Sequence, residues 1–301
     1  MILIHMSQQS QEQYQFIESI LRKHLGDVSG MEDFQFFYGG NFNLAVRVKL
    51  LAGEFFIKWN QGEHLGLFEA EAKNLGLIDS TKAIRVPQVL GVGSLEEKEY
   101  LMMECLPTGE KKSDYWEDFG AKLAQLHKNT SANGHGLDYT NYLGAAKQTN
   151  DWNPNGVQFF IEHRLKKQVD IAVYHRKIDA ATEEKFQALF DKLPNLIPNE
   201  ASALLHGDLW SGNAMIHADG HIALVDPSCY YGLREAELAF TTMFGGFDPA
   251  FYDAYHAIFP IEKGFHERIP LYNLYPLMVH VNLFGEGYLP AVQKILGDYS
   301  A

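Results

Sequence analysis

The stretch "HGDLWSGN", His206 to Asn213, sets an aspartate, Asp208, five residues ahead of an asparagine, Asn213, and a second aspartate, Asp226, follows in "IALVDP". Short apolar runs on either side, Ala203 to His206 and His221 to Val225, read as two strands flanking this loop. A loop pinned between strands can hold side chains still enough for chemistry. The plainer alternative is a turn whose aspartate and asparagine only satisfy nearby backbone groups. Spacing and flanking strands together favour chemistry.

The spacing matches the kinase catalytic loop H-R-D-L-x-x-x-N followed by the aspartate of a D-F-G triplet. Gly207 stands where that pattern has arginine, and the triplet reads Asp226, Pro227, Ser228. Phosphoryl transfer needs a carboxylate near the attacking hydroxyl and oxygen ligands for magnesium. Asp208 suits the first role, and the Asn213 amide oxygen with the Asp226 carboxylate suits the second.

Upstream, Lys58 is the only lysine on the strand Glu54 to Trp59 and shares a face with Phe56, an arrangement suited to reaching ATP phosphates under an apolar roof. Such a lysine needs an acidic partner on the following helix. Glu69 and Glu71 lie about 200° apart on a helical wheel, flanking the apolar face of Phe68, Ala72 and Leu75, so geometry leaves the choice open. Gly39 and Gly40, in "YGGNFNLAVRV", make a turn between strands where backbone N–H groups could cover phosphates; a simple hairpin is the alternative.

Around these residues the chain is organised in two halves. Tyr14, Ile17, Ile20, Leu21 and Leu25 recur at helical spacing. Strands follow at Phe34 to Tyr38, Leu44 to Leu50, Glu54 to Trp59, Val86 to Val92 and Glu99 to Glu104, with one helix from Leu65 to Ile78. Beyond Leu106 helices dominate, at Asp114 to His127, Asn155 to Tyr174, Thr182 to Leu193 and Arg234 to Phe244, with more towards the C-terminus. The expected architecture is α+β and bilobal: an N-lobe over residues 1–104, built on a small antiparallel sheet, and a mainly helical C-lobe over 105–301. The active site is expected in the cleft between them.

In the helix from Asn155, Arg164 and Gln168 fall on the same face as Val157, Ile161 and Ala172. Arg164 is therefore either a buried structural ion pair or a substrate-binding group lining a cleft, with Gln168 beside it. His127, ending the face of Trp116, Phe119 and Leu123, reads as a core histidine rather than a catalyst.

Composition sets the outer limits. The 301 residues are 46% apolar, 13% aromatic and 21% charged, an ordinary globular balance that excludes a disordered or fibrous chain. A net charge of −13 without a basic patch argues against a nucleic-acid partner, whereas a nucleotide needs only one lysine and bound metal. Cys105 and Cys229 lack zinc-ligand spacing and favour no disulfide. The apolar start is too short for a signal peptide, and no run has membrane-spanning length, so the expectation is a cytoplasmic monomer with no membrane partner.

With these residues in place the chain resembles the fructosamine kinases, a branch of the protein-kinase-like phosphotransferases that also includes aminoglycoside kinases. "GGNFNLAVRV", "FFIKWN", "FEAEAKNLGL", "VPQVLGVG", "NYLGAAKQTNDW", "LLHGDLWSGNAMI", "DPSCYYGLREAELAFTTMFGGF" and "LYNLYPLMVHVNLFG" are similar to that family's motifs in order. The resemblance implies ATP and Mg²⁺ as cofactors and a ketosamine acceptor, small-molecule or protein-bound, phosphorylated on the third sugar carbon. It implies that Asp208 accepts the proton, that Asn213 and Asp226 hold metal, and that Lys58 binds phosphate with Glu71 as its partner. Glu104, Cys105 and Leu106 would form the adenine hinge, and Trp210 would contact the sugar.

Two departures stand out. Asn41 replaces a cysteine common in the glycine turn, which removes a redox switch there, and Glu237 replaces the aspartate usual after "REA". The rivals to this reading are a kinase for another small alcohol and a pseudokinase; Lys58, Asp208, Asn213 and Asp226 together disfavour the latter.

Overall fold

Apolar residues alternate along two neighbouring segments, and that alternation builds the sheet of the N-terminal unit. The computed structural model of the chain describes residues 8–26, 28, 33–39, 43–60 and 66–299. Helix α1 (Gln8–Leu25) precedes strands β1 (Asp33–Gly39), β2 (Asn43–Leu50) and β3 (Gly53–Asn60), helix α2 (Leu67–Thr81), and strands β4 (Val89–Leu95) and β5 (Lys98–Glu104). The five strands form one antiparallel sheet in the order β1-β2-β3-β5-β4. β4 starts later than the expected Val86 because Pro87 has no N–H for a ladder.

Period-2 alternation sends Val46, Val48, Ile57, Trp59, Tyr100 and Met102 to one face, where they are buried against Phe16, Ile17, Ile20 and Leu21 of α1. Each such side chain stabilises the unit by roughly 1.5–3 kcal/mol. The opposite face carries Phe56 and Lys58, with Ala45 and Leu101 directly across from Lys58.

Contacts divide the chain into two compact units: Met1–Gly76 with Pro87–Pro107, and Leu77–Val86 with Thr108–Ala301. Residues 77–86 thus group with the second unit, a difference from an N-lobe unbroken to residue 104. The cause is local. The Leu224 N–H donates to the Arg85 carbonyl at 2.9 Å, and Leu77 packs on the cluster of Leu137, Phe159, Ala203, Leu205 and Tyr230.

The second unit runs α3 (Tyr115–His127), β6 (Asn141–Leu143), β7 (Ala146–Gln148), α4 (Gly156–Phe159), α5 (Lys166–Tyr174), α6 (Ala180–Leu196), β8 (Ala203–Leu205), β9 (Ala214–Ile216), β10 (Ile222–Leu224), β11 (Tyr230–Gly232), α7 (Arg234–Phe240), α8 (Pro249–Ile258), α9 (Phe265–Phe284) and α10 (Leu289–Tyr299). Its strands pair as three two-stranded sheets, β6-β7, β9-β10 and β8-β11.

Two departures from the expected helices matter for the site. Phe160–Leu165 is π-helical, with the Lys166 N–H reaching back to the Ile161 carbonyl, and this wider turn shifts the helical phase around Arg164. Helix α7 stops at Phe240, short of the expected Phe244, and helical backbone ends altogether at Phe244, Gly245 and Gly246, whose φ values are 56°, 106° and 75°. Among the described residues no helix is long and apolar enough to cross a membrane.

Candidate active site

β8 delivers the chain to His206, whose buried ring is fixed from both sides. Nε2 lies 2.9 Å from the Val225 carbonyl and Nδ1 lies 3.3 Å from the Asp208 N–H. Nε2 therefore donates and Nδ1 accepts, and burial lowers the imidazole pKa. The His206 carbonyl accepts from the Ser228 N–H at 2.8 Å. One residue thereby ties the approach to Asp208 to both neighbours of the Asp226–Pro227 pair.

Gly207 has φ 83°, and a Cβ there would come within 2.0 Å of the Ser228 carbonyl oxygen. This close approach excludes the arginine of the kinase pattern and every other side chain.

Asn213 donates its amide nitrogen to the Asp208 carbonyl at 2.8 Å and to Asp208 Oδ2 at 3.1 Å. Both partners are acceptors, so the nitrogen faces Asp208 and Oδ1 is the amide's oxygen for another ligand. Burial of Asp208, then the charge of Asp226, push the Asp208 carboxyl up to about 7; the Asn213 hydrogen bond opposes them and Glu237 adds to them. Asp226 has an exposed side chain and φ 56°, a left-handed conformation uncommon outside glycine.

The loop is braced from α7. Glu237 Oε1 accepts the Gly207 N–H at 2.6 Å, while Oε2 accepts the His206 N–H at 3.1 Å and lies 2.8 Å from His127 Nε2. Burial alone would raise the Glu237 carboxyl, but the His127 hydrogen bond and charge, His206 and the Gly207 N–H hold it below the usual glutamate value. His127 is fully buried, as a core histidine should be, and its Nδ1 sits 2.8 Å from the Tyr255 hydroxyl. Its link through Glu237 to the loop was not legible from helical periodicity.

A second brace comes from the β6-β7 hairpin. Asn141 donates to the Cys229 carbonyl at 2.6 Å and Ser228 donates to the Tyr142 carbonyl at 2.5 Å, holding the residues just after Asp226. Asn150 donates to Asn141 Oδ1 at 2.9 Å, and Arg164 donates to Asn150 Oδ1 at 2.6 Å.

Arg164 and Gln168 correct the substrate-contact expectation. Arg164 is 0% exposed, donates also to the Thr149 and His163 carbonyls at 3.0 Å, and stacks over Phe159, Tyr230 and Tyr275. Among the described residues no carboxylate pairs with it, and it has no surface position; ring faces and carbonyls take the place of an anion. Gln168 is 2% exposed, and the Asn282 side chain donates to its carbonyl and its Oε1 at 2.9 Å. Trp210, in contrast, is 37% exposed, with its ring 5.8 Å from that of Phe244.

In the first unit Lys58 Nζ lies 2.8 Å from Glu71 Oε1, with both side chains mostly buried. Glu69 faces solvent and pairs with Lys73 at 2.8 Å. Gly39 closes β1 opposite Asn43, whereas Gly40 and Asn41 lie outside the described residues. In the segment expected as the hinge, the Glu104 N–H donates to Gln88 at 2.9 Å and the Cys105 N–H to Glu54 at 3.1 Å, while Leu106 is buried. Burial raises the pKa of the half-buried Cys105 thiol.

The sequence signature of fructosamine kinases matches residues 13–301. The chain belongs to the fructosamine kinase family. A probable ketoamine kinase of Enterococcus faecium is 38% identical over 263 residues, covering 87% of this chain and 93% of that one. A chloroplastic protein-ribulosamine 3-kinase of Oryza sativa subsp. indica is 37% identical over 265 residues, covering 87% and 77%. A solved structure from Haemophilus somnus 129PT, provisionally named a fructosamine-3-kinase, superposes with a TM-score of 0.83 at 30% identity over 94% of this chain and 96% of that one.

An aminoglycoside phosphotransferase at 15% identity and TM-score 0.65, covering 96% of this chain and all of that one, shares the fold. The fold is accordingly α+β and protein-kinase-like, and this fructosamine kinase family member is a phosphotransferase. Among the described residues no three His, Cys, Asp or Glu side chains gather to cage a metal. The free amide oxygen of Asn213 and the exposed carboxylate of Asp226 are instead the sparse oxygen set suited to magnesium that arrives with nucleotide phosphates.

Proposed function

We propose that this family member transfers the γ-phosphoryl group of ATP to the hydroxyl on the third sugar carbon of ketosamines, with ribulosamine and fructosamine adducts as acceptors. The observation that carries this reading is the loop His206–Asn213, in which Asp208 is held by Asn213 and braced by Glu237 while Trp210 stays open to solvent.

Asp208 takes the proton of the acceptor hydroxyl as that oxygen bonds to the γ-phosphorus and the bond to ADP breaks. A carboxyl raised by burial is a competent proton acceptor near neutral pH. Lys58, oriented by Glu71, binds the α- and β-phosphates. Asn213 Oδ1 and Asp226 would hold Mg²⁺, which offsets phosphate charge when bound. Trp210 offers a ring face to the C–H groups of the sugar.

The test is to incubate ribulose-lysine and fructose-lysine with ATP and magnesium and to locate the phosphate by phosphorus-coupled NMR, with choline and an aminoglycoside as controls. Phosphate on the third carbon of a ketosamine is expected. Phosphorylation of a control but of neither ketosamine would overturn the substrate class.

A further inference from the structure

Asp226 is under backbone strain on two counts. Its φ of 56° lies in the left-handed region that residues with a side chain seldom occupy, and Pro227 after it favours extended backbone in that place. Such a conformation persists only where its surroundings over-determine it. The residues that follow supply those surroundings. The Ser228 N–H donates to the His206 carbonyl at 2.8 Å, the Ser228 hydroxyl donates to the Tyr142 carbonyl at 2.5 Å, and Tyr230 pairs with Leu205 in the β8-β11 ladder. Between them the Cys229 carbonyl accepts from Asn141 at 2.6 Å.

The bond to Cys229 ends a one-way relay. Arg164 has donors only, so Asn150 must turn its Oδ1 to the 2.6 Å contact and its amide nitrogen away. That nitrogen donates to Asn141 Oδ1 at 2.9 Å, which obliges Asn141 to turn its own nitrogen towards Cys229. Gln148 enforces the same orientation: Tyr275 donates to its Oε1 at 2.8 Å, and its nitrogen reaches Asn141 Oδ1 at 3.3 Å. Asn141, Gln148, Asn150 and Arg164 are each at most 3% exposed, so bulk water offers no substitute partner to an amide that turns over. Packing alone does not call for the guanidinium, because a buried cation is costly and its Nε–H has no acceptor among the described residues. Setting the direction of the relay does.

We propose that Arg164 and Asn141 are positioning residues for the metal: the relay from Arg164 to the Cys229 carbonyl fixes the left-handed Asp226, so that its carboxylate is presented to the Mg²⁺ that arrives with nucleotide. This rests on the assignment of Asn213 and Asp226 to magnesium above. Both residues are fully buried and act only through the backbone that they hold. The segment "NYLGAAKQTNDW", which carries Asn141, Gln148 and Asn150, thereby gains a use in the reaction without touching its reactants.

The test measures binding of a non-hydrolysable ATP analogue by calorimetry, with Mg²⁺ and with EDTA, in the wild type, Asn141→Ala, Arg164→Met, Asp226→Ala and Leu189→Ala. The last truncates the core of α6, shares none of the relay's bonds and controls for lost stability; melting curves establish that each variant is folded. Affinity in EDTA should be unchanged throughout. The gain from Mg²⁺ should fall roughly tenfold in Asn141→Ala and Arg164→Met, the effect of losing a group that orients a metal ligand, and stay at the wild-type value in Leu189→Ala. A full gain in either folded relay variant, or an equal loss in Leu189→Ala, overturns the proposal while the metal assignment stands. A wild type without any gain, or a gain that survives Asp226→Ala, overturns both.

Discussion

Glu237 gathers two backbone N–H groups and a histidine on one buried carboxylate, and so it fixes the start of the catalytic loop. Its pKa is depressed in the folded chain, so its stabilisation is present above the ordinary value of 4.5 and is lost as pH falls through the folded value. Urea unfolding of wild type and Glu237→Gln across that acidic window should show the wild type losing its advantage as pH drops. At neutral pH the variant should be less stable by about 1–3 kcal/mol, because an amide turns a donor towards a backbone N–H. Parallel pH curves for the two proteins would sink this account. The carboxylate position was legible in the sequence, and so was the aspartate-asparagine spacing. What Glu237 holds was not, because its partners, His127 and the backbone of Gly207, are distant in the chain or carry no side-chain signal.

Strands and amphipathic helices were legible as elements because alternation and helical spacing reflect burial directly. The β6-β7 hairpin escaped because strands of three residues, Asn141–Leu143 and Ala146–Gln148, are too short for a period to register and their inward residues include Asn141 and Gln148. For Arg164 the helical wheel held, since it is buried on the face of Val157, Ile161 and Ala172; what the pattern could not show is that ring faces, carbonyls and Asn150 receive its charge. Arg164→Met should therefore lower the free energy of unfolding by about 2–4 kcal/mol, since Asn150 and two carbonyls lose their donor. In the folded fraction KM for the acceptor should stay near the wild-type value; a stable protein with a selective rise in that KM would restore the substrate-contact role. The strand-helix pair in the first unit makes a separate prediction. Glu71→Gln removes the charge that Lys58 meets at 2.8 Å, and KM for ATP should rise on the order of tenfold with little change for the acceptor. Equal rises in both would count against a phosphate-positioning lysine.

At the scale of the whole molecule, a strand-rich start and helical remainder were plain from the sequence, whereas the grouping of residues 77–86 with the second unit was not. The segment is tied there by the backbone bond from Leu224 to Arg85, the Arg85–Asp219 ion pair and the packing of Leu77, none of which has a sequence pattern. The family places phosphotransfer on this fold, while the proposed role of Asp208 rests on the geometry of a single loop. The most direct measurement is steady-state turnover of ribulose-lysine by Asp208→Ala, with ATP affinity followed by calorimetry on the same preparation. The account predicts a fall in kcat of roughly a hundredfold or more with ATP affinity nearly unchanged, because the variant loses the proton acceptor and keeps Lys58, Asn213 and Asp226. Turnover at the wild-type rate would contradict it.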